Sequence, residues 1–121
     1  MEGILGYIND ILTNANIPYE YGLWTQTVSY PYFVGTFSTN EYQYENNHIG
    51  GTLTIDGWSR NSNLELVQID DAIRELFADK HDINDTSVYY VRYGGSFQAP
   101  TGSPDLWKIT ITLFTDEWKG E

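Results

Sequence analysis

The passage from Gly51 to Phe77, GTLTIDGWSRNSNLELVQIDDAIRELF, changes its hydrophobic period partway along. Leu53 and Ile55 alternate with Thr52, Thr54 and Asp56, the two-residue repeat of a half-buried strand. Leu66, Ile69, Ile73, Leu76 and Phe77 then recur at helical spacing, with Glu65, Gln68, Asp71 and Glu75 turned away from that stripe. A strand that runs into an amphipathic helix needs a sheet and a helical layer to share one core. Ser62 and Glu65 form an S-x-x-E capping box at the helix start, and the helix is predicted to stop near Asp79.

The joint itself reads DGWSRNSN. Each residue has a structural role available. Gly57 permits a bulge or bend, Trp58 is large enough to seal the end of a sheet, and Ser62 caps the helix. The chemical alternative makes Asp56 a base and Arg60 an anion binder, but no nucleophile or histidine lies close by in sequence. The joint therefore reads as a corner, with Arg60 a surface or interface contact.

Elsewhere, Ile4, Leu5, Ile8, Ile11 and Leu12 share one helical face, which predicts a first helix over about residues 2–14. Asn14 and Asn16 supply a left-handed stop, and Pro18 prevents continuation. Tyr30-Pro31 marks a turn or an extended entry. PYFVGTFS follows as a strand, with Phe33, Gly35 and Phe37 on one face and Tyr32, Val34 and Thr36 on the other. NEYQYENNHIGG is expected to carry a long hairpin, and SVYYVRY is a β run after a short polar turn. GGSFQAPTGSP, Gly94 to Pro104, has the composition of a mobile loop. In the last strand Trp107, Ile109, Ile111 and Leu113 alternate with Lys108, Thr110 and Thr112. The expectation is a single α+β domain over residues 1–121: a mainly antiparallel sheet of four to five strands with two helices packed on one face.

Seventeen acids against six Lys and Arg leave a formal charge of −11. The bases, Arg60, Arg74, Lys80, Arg92, Lys108 and Lys119, are scattered along the chain, which argues against gripping nucleic acid or an anionic membrane. No apolar run approaches the roughly 20 residues of a membrane span. The N-terminus, with Glu2 and Asp10, does not read as a signal peptide. Without cysteine there is no disulfide framework or thiolate chemistry. His48 and His81 lack the helical partners of a zinc site. Asp79, Asp82 and Asp85 around His81 read as a solvated turn, lacking the glycine and terminal Glu of a calcium loop. Nucleophile-elbow, phosphate-loop and dinucleotide motifs are missing. The sequence thus predicts neither an enzyme nor any catalytic, cofactor or metal residue. Ten Tyr and four Trp, several in polar settings (Tyr19, Tyr21, Tyr42, Tyr44, Tyr89, Tyr93), point instead to a protein–protein surface.

The short first helix, PYFVGTFS, the passage Thr52–Phe77 and the terminal β hairpin together resemble the small tail terminator or tail completion proteins of long-tailed bacteriophages. The resemblance spans most of the chain but rests on layout and carries no invariant motif. It implies a virion subunit, present in the host cytoplasm during assembly, that forms a ring, often a hexamer. Such a ring caps the tail tube, contacts the tube and head–tail connector proteins, and lets DNA pass without sequence readout. It implies no cofactor. Tyr42, Tyr44, Arg60 and Phe97 are the expected interface residues. Two other classes stay open: a small acidic adaptor or inhibitor of a basic host protein, and a small hydrolase or isomerase built on Asp56 and Arg60.

Overall fold

The computed structural model describes residues 3–39, 48–83 and 87–119. The element order is α1 (Gly3–Asn14), β1 (Tyr19–Tyr21), β2 (Tyr32–Thr39), β3 (His48–Ser59), α2 (Asn63–Leu76), β4 (Lys80–Ile83), β5 (Ser87–Gln98) and β6 (Trp107–Lys119). The α+β class and both helices are as expected. The sheet is larger, with six strands in the order β1-β2-β3-β6-β5-β4. It is also mixed, because β1 pairs with β2 in parallel while every other pair is antiparallel. The two extra strands are the edges, three and four residues long. Elements that short carry too little alternation to register as strands, and the turn expected around His81 is in fact β4. Edge strands this short also offer little unpaired backbone to a neighbouring chain.

Opposed residues across the ladder share a face, so the register sorts the sheet into two sides. Phe33, Gly57 and Ile109 line up on one side, as do Gly35, Ile55 and Ile111, and then Phe37, Leu53 and Leu113. The apolar ones join Ile4, Ile8 and Leu12 of α1, Leu66 and Ile73 of α2, and Phe77 at the α2 C-cap in a single core. Both helices therefore cover the same face. The first helix ends as the sequence indicates, with Asn16 at φ 61° and the amide of Ile17 bonded back to the carbonyl of Leu12 (3.0 Å). Tyr30-Pro31 is a cis peptide.

Gly57 does not bend the chain. β3 continues through it to Ser59 in unbroken register with β2 and β6. Its role is close approach: the ring of Phe33 lies across it so tightly that a Cβ would collide with the Cδ2–Cε2 edge of that ring. Trp58, one residue on, points to the opposite face beside Tyr32 instead of closing the sheet.

β5 differs most from the sequence reading. Gly94–Gln98, expected in a loop, continues the strand through a register shift between Tyr93 and Gly95. The bulge places Tyr93 and Ser96 on the helix side of the sheet. There both hydroxyls donate to the carboxylate of Asp70 at 2.7 Å, and the amide of Tyr93 bonds the carbonyl of Phe77 at 2.9 Å. Asp70 is buried inside the apolar stripe of α2, between Leu66 and Ile73, at a position where helical spacing calls for an apolar residue. Asp70→Ala is expected to lower stability by about 2 kcal/mol, because it removes two hydrogen bonds to a charged acceptor. Asp71→Ala, at the exposed neighbour, should change little; thermal unfolding of the two variants checks this.

Candidate functional site

The joint Asp56–Asn63 is a structural corner. Ser62 is extended, and its hydroxyl accepts the amide of Glu65 at 3.1 Å, one half of the expected capping box. The other half is rerouted. Glu65 Oε2 accepts from the hydroxyl of Ser59 (2.7 Å) and from Asn61 Nδ2 (3.3 Å). The same Ser59 oxygen accepts the amides of Asn61 (3.0 Å) and Ser62 (3.4 Å). Ser59 is wholly buried, so these contacts satisfy a polar group at the end of β3. Ser62→Ala is expected to destabilise the protein by about 1 kcal/mol through loss of the cap. A chemical-denaturation midpoint measures it.

Asp56 and Arg60 are not brought together. Asp56 Oδ1 accepts the hydroxyl of Thr110 (2.7 Å) and lies 3.9 Å from Lys108 Nζ. Arg60 donates to the hydroxyl of Tyr30 (3.3 Å) and pairs with Asp105 (3.2 Å). The Asp105 carboxylate is held below its ordinary pKa by the hydroxyl of Ser103 and, to a lesser extent, by Arg60. A surface hollow of about 600 Å³ formed by residues 98–104 with Asn63 and Trp107 contains neither Asp56 nor Arg60. Among the described residues no group of three or more His, Cys, Asp or Glu could hold a metal ion.

The feature that stands out is the face of the sheet that no described helix covers. It is studded with rings. Tyr32 stacks on Trp58 with centroids 5.1 Å apart, and Trp24 and Tyr30 lie beside Tyr32 at 5.1 and 5.7 Å. Phe97 stands opposite Thr110, and Phe114 opposite Thr52. Farther along, His48 stacks flat on Trp118 (4.3 Å, 9°) and bonds Asp116 at 2.8 Å. Phe97 is 61% exposed. The indole N–H of Trp24 is buried without a hydrogen-bond partner among the described residues.

Three of the six basic residues gather around the same face, although they are far apart in sequence. Arg60 lies over Tyr30, Lys108 over Trp58, and Arg92 over both Tyr90 and Phe114, all 5.5 to 5.7 Å from the ring centroids. The cations scattered along the chain are thus partly collected by the fold. Arg60 and Lys108 have carboxylate partners; Arg92 makes no ion pair with a described residue.

Of the expected interface residues, Phe97 and Arg60 lie at this face, Phe97 on β5 instead of in a loop. Tyr42 and Tyr44 fall outside the described residues, as do most of NEYQYENNHIGG and, with it, Asp85 of the His81 segment. The other tyrosines first assigned to a surface are largely used internally. Tyr19 is buried, which pushes its hydroxyl far above its ordinary pKa, and Tyr21, Tyr89 and Tyr93 pack against the core. Sequence reasoning missed Phe114 and Trp118. The available signal was that the alternation of β6 runs on past Leu113, so every second residue there belongs to the outer face.

No helix among the described residues is long and apolar enough to cross a membrane. The sequence matches no protein-family model and shows no significant similarity to a curated protein.

Proposed function

We propose that this chain is a structural assembly subunit: a ring-forming tail terminator or completion protein that caps the tail tube of a long-tailed phage and joins it to the head. The observation that carries the reading is the one-sided architecture. Both helices cover one face of the sheet, and the other face presents aromatic side chains, including the exposed Phe97 and the partly exposed Phe114, to the surroundings. A ring subunit needs surface of this kind, because it meets identical neighbours around the ring and different proteins along the axis. Aromatic residues and Arg are the side chains enriched at interface centres. Arg60 and Phe97 are the described residues assigned to such contacts, with Tyr42 and Tyr44 as further candidates.

The overall charge of −11 suits a channel through which DNA must slide without being held. Arg60 and Lys108 are offset by Asp105 and Asp56. The isolated protein is therefore expected to show no salt-sensitive affinity for duplex DNA tighter than about 100 μM. Tight, salt-dependent binding in an anisotropy titration would oppose the reading.

The functional test is made on particles. In the phage encoding this chain, Phe97→Ser is expected to leave the purified subunit folded by circular dichroism but to yield tails that overrun their length or fail to join heads. Normal tail length and normal joining after deletion of the whole gene would exclude the role.

A further inference from the structure

The face that no described helix covers has room for an occupant, and the charge distribution points to one. Arg92 sits on it between Tyr90 and Phe114 without a carboxylate partner among the described residues. On the far side of the molecule, the outward surface of α2 has the opposite character. Leu64 there is 62% exposed and Val67 is also exposed, and one to three turns later come the exposed carboxylates Asp71 and Glu75. The one base of α2, Arg74, is folded back over the ring of Tyr93 at 4.9 Å and donates to its hydroxyl. The outer ridge of α2 is therefore apolar at its start and acidic at its end. The open face is apolar at Phe97 and basic at Arg92.

The spacings match. Phe97 and Arg92 stand opposite Thr110 and Phe114 of β6, four residues apart, or about 14 Å along a strand. On α2, Leu64 precedes Asp71 and Glu75 by seven and eleven residues, about 10 and 16 Å of helix rise. A helix laid along the strands can set Leu64 against Phe97 while a carboxylate reaches Arg92.

We infer that the occupant is a second copy of this chain, and that the open face around Phe97 and Arg92 receives the outer ridge of α2, Leu64 to Glu75, of the next subunit. This deepens the ring reading above and rests on it. The two patches are unlike and lie on opposite sides of one subunit, so the contact is heterologous and can repeat until it closes. A single-stranded nucleic acid could also stack on exposed rings beside cations. The excess of acid on the chain and the matched ridge on α2 favour the second copy.

The experiment measures mass in solution, by native mass spectrometry and sedimentation, for the wild type, Phe97→Glu, Leu64→Glu and an equimolar mixture of the two variants. Both substitutions are at exposed positions, and circular dichroism confirms that the variants fold. The wild type is expected to form a closed oligomer and each variant alone to be monomeric. The mixture should stop at a heterodimer, because it retains one intact face and one intact ridge per pair. That stop is the signature of two unlike patches. Charge exchange supplies a second arm: Arg92→Glu should lose assembly, and adding Asp71→Arg with Glu75→Arg should restore it. Variants that assemble like the wild type would overturn the inference while leaving the ring reading intact. A wild type that remains monomeric at millimolar concentration would overturn it as well, with the tail-length phenotype then deciding the ring reading separately. Binding of a labelled oligo(dT) strand that Phe97→Glu abolishes would assign the face to nucleic acid and overturn the inference too.

Discussion

Ile73→Asp is expected to unfold the domain or leave it barely stable at room temperature. Ile73 is completely buried, on the stripe of α2 that faces β3, β5 and β6. The substitution removes an aliphatic side chain from a packed core and places an unpaired carboxylate there. Loss of packing and burial of a charge act in the same direction and together should cost roughly 3 kcal/mol or more. That is a large part of the 5–15 kcal/mol typical of a small domain. Asp70, one turn away, shows what a carboxylate at this depth requires, since two hydroxyls converge on it. Ile73 is instead surrounded by the apolar core. Wild-type melting behaviour in this variant would mean that α2 is not docked on the sheet as described.

Gly57→Val is expected to be the second most damaging change, at about 3 kcal/mol. On a strand, valine is intrinsically preferred to glycine, so propensity alone predicts stabilisation. The structure reverses the sign. Phe33 is fully buried and its ring occupies the space where the Cβ of residue 57 would be. That ring is confined by the core, so it cannot swing away as a surface side chain would. The two effects separate in a double-mutant cycle with Phe33→Leu. The smaller side chain should recover part of the loss in the Gly57→Val background while being destabilising by itself. Additive effects in chemical denaturation would show that the two residues are not in contact.

Both predictions depend on features with different visibility in the sequence. The stripe of α2 and the alternation of β2, β3 and β6 could be read directly, because a helix or strand with one buried side records its orientation in the spacing of its apolar residues. Ser62 as N-cap was legible for the same local reason, since the bond spans three residues. These elements determined the α+β class and the placement of both helices on one core.

What the sequence left open was decided by contacts between residues distant along the chain. Glu65 bonds Ser59 because the end of β3 brings that hydroxyl to the helix start, and no local rule for capping boxes anticipates it. Gly94 and Gly95 have the composition of the start of a loop; pairing with β6 on one side and the docking of Tyr93 and Ser96 onto Asp70 on the other keep them in a bulged strand. β1 and β4 are too short to show a period, and their assignment comes from the strands they border. The candidate interface depends most on tertiary structure. Arg60, Arg92 and Lys108 are dispersed through 49 residues of sequence. They meet around one face because strand register, which sets what lies opposite what, carries them there. The chain determined locally which side of each element is buried, since burial is written into its own periodicity. Which outward-facing residues become neighbours was decided only when the six strands paired.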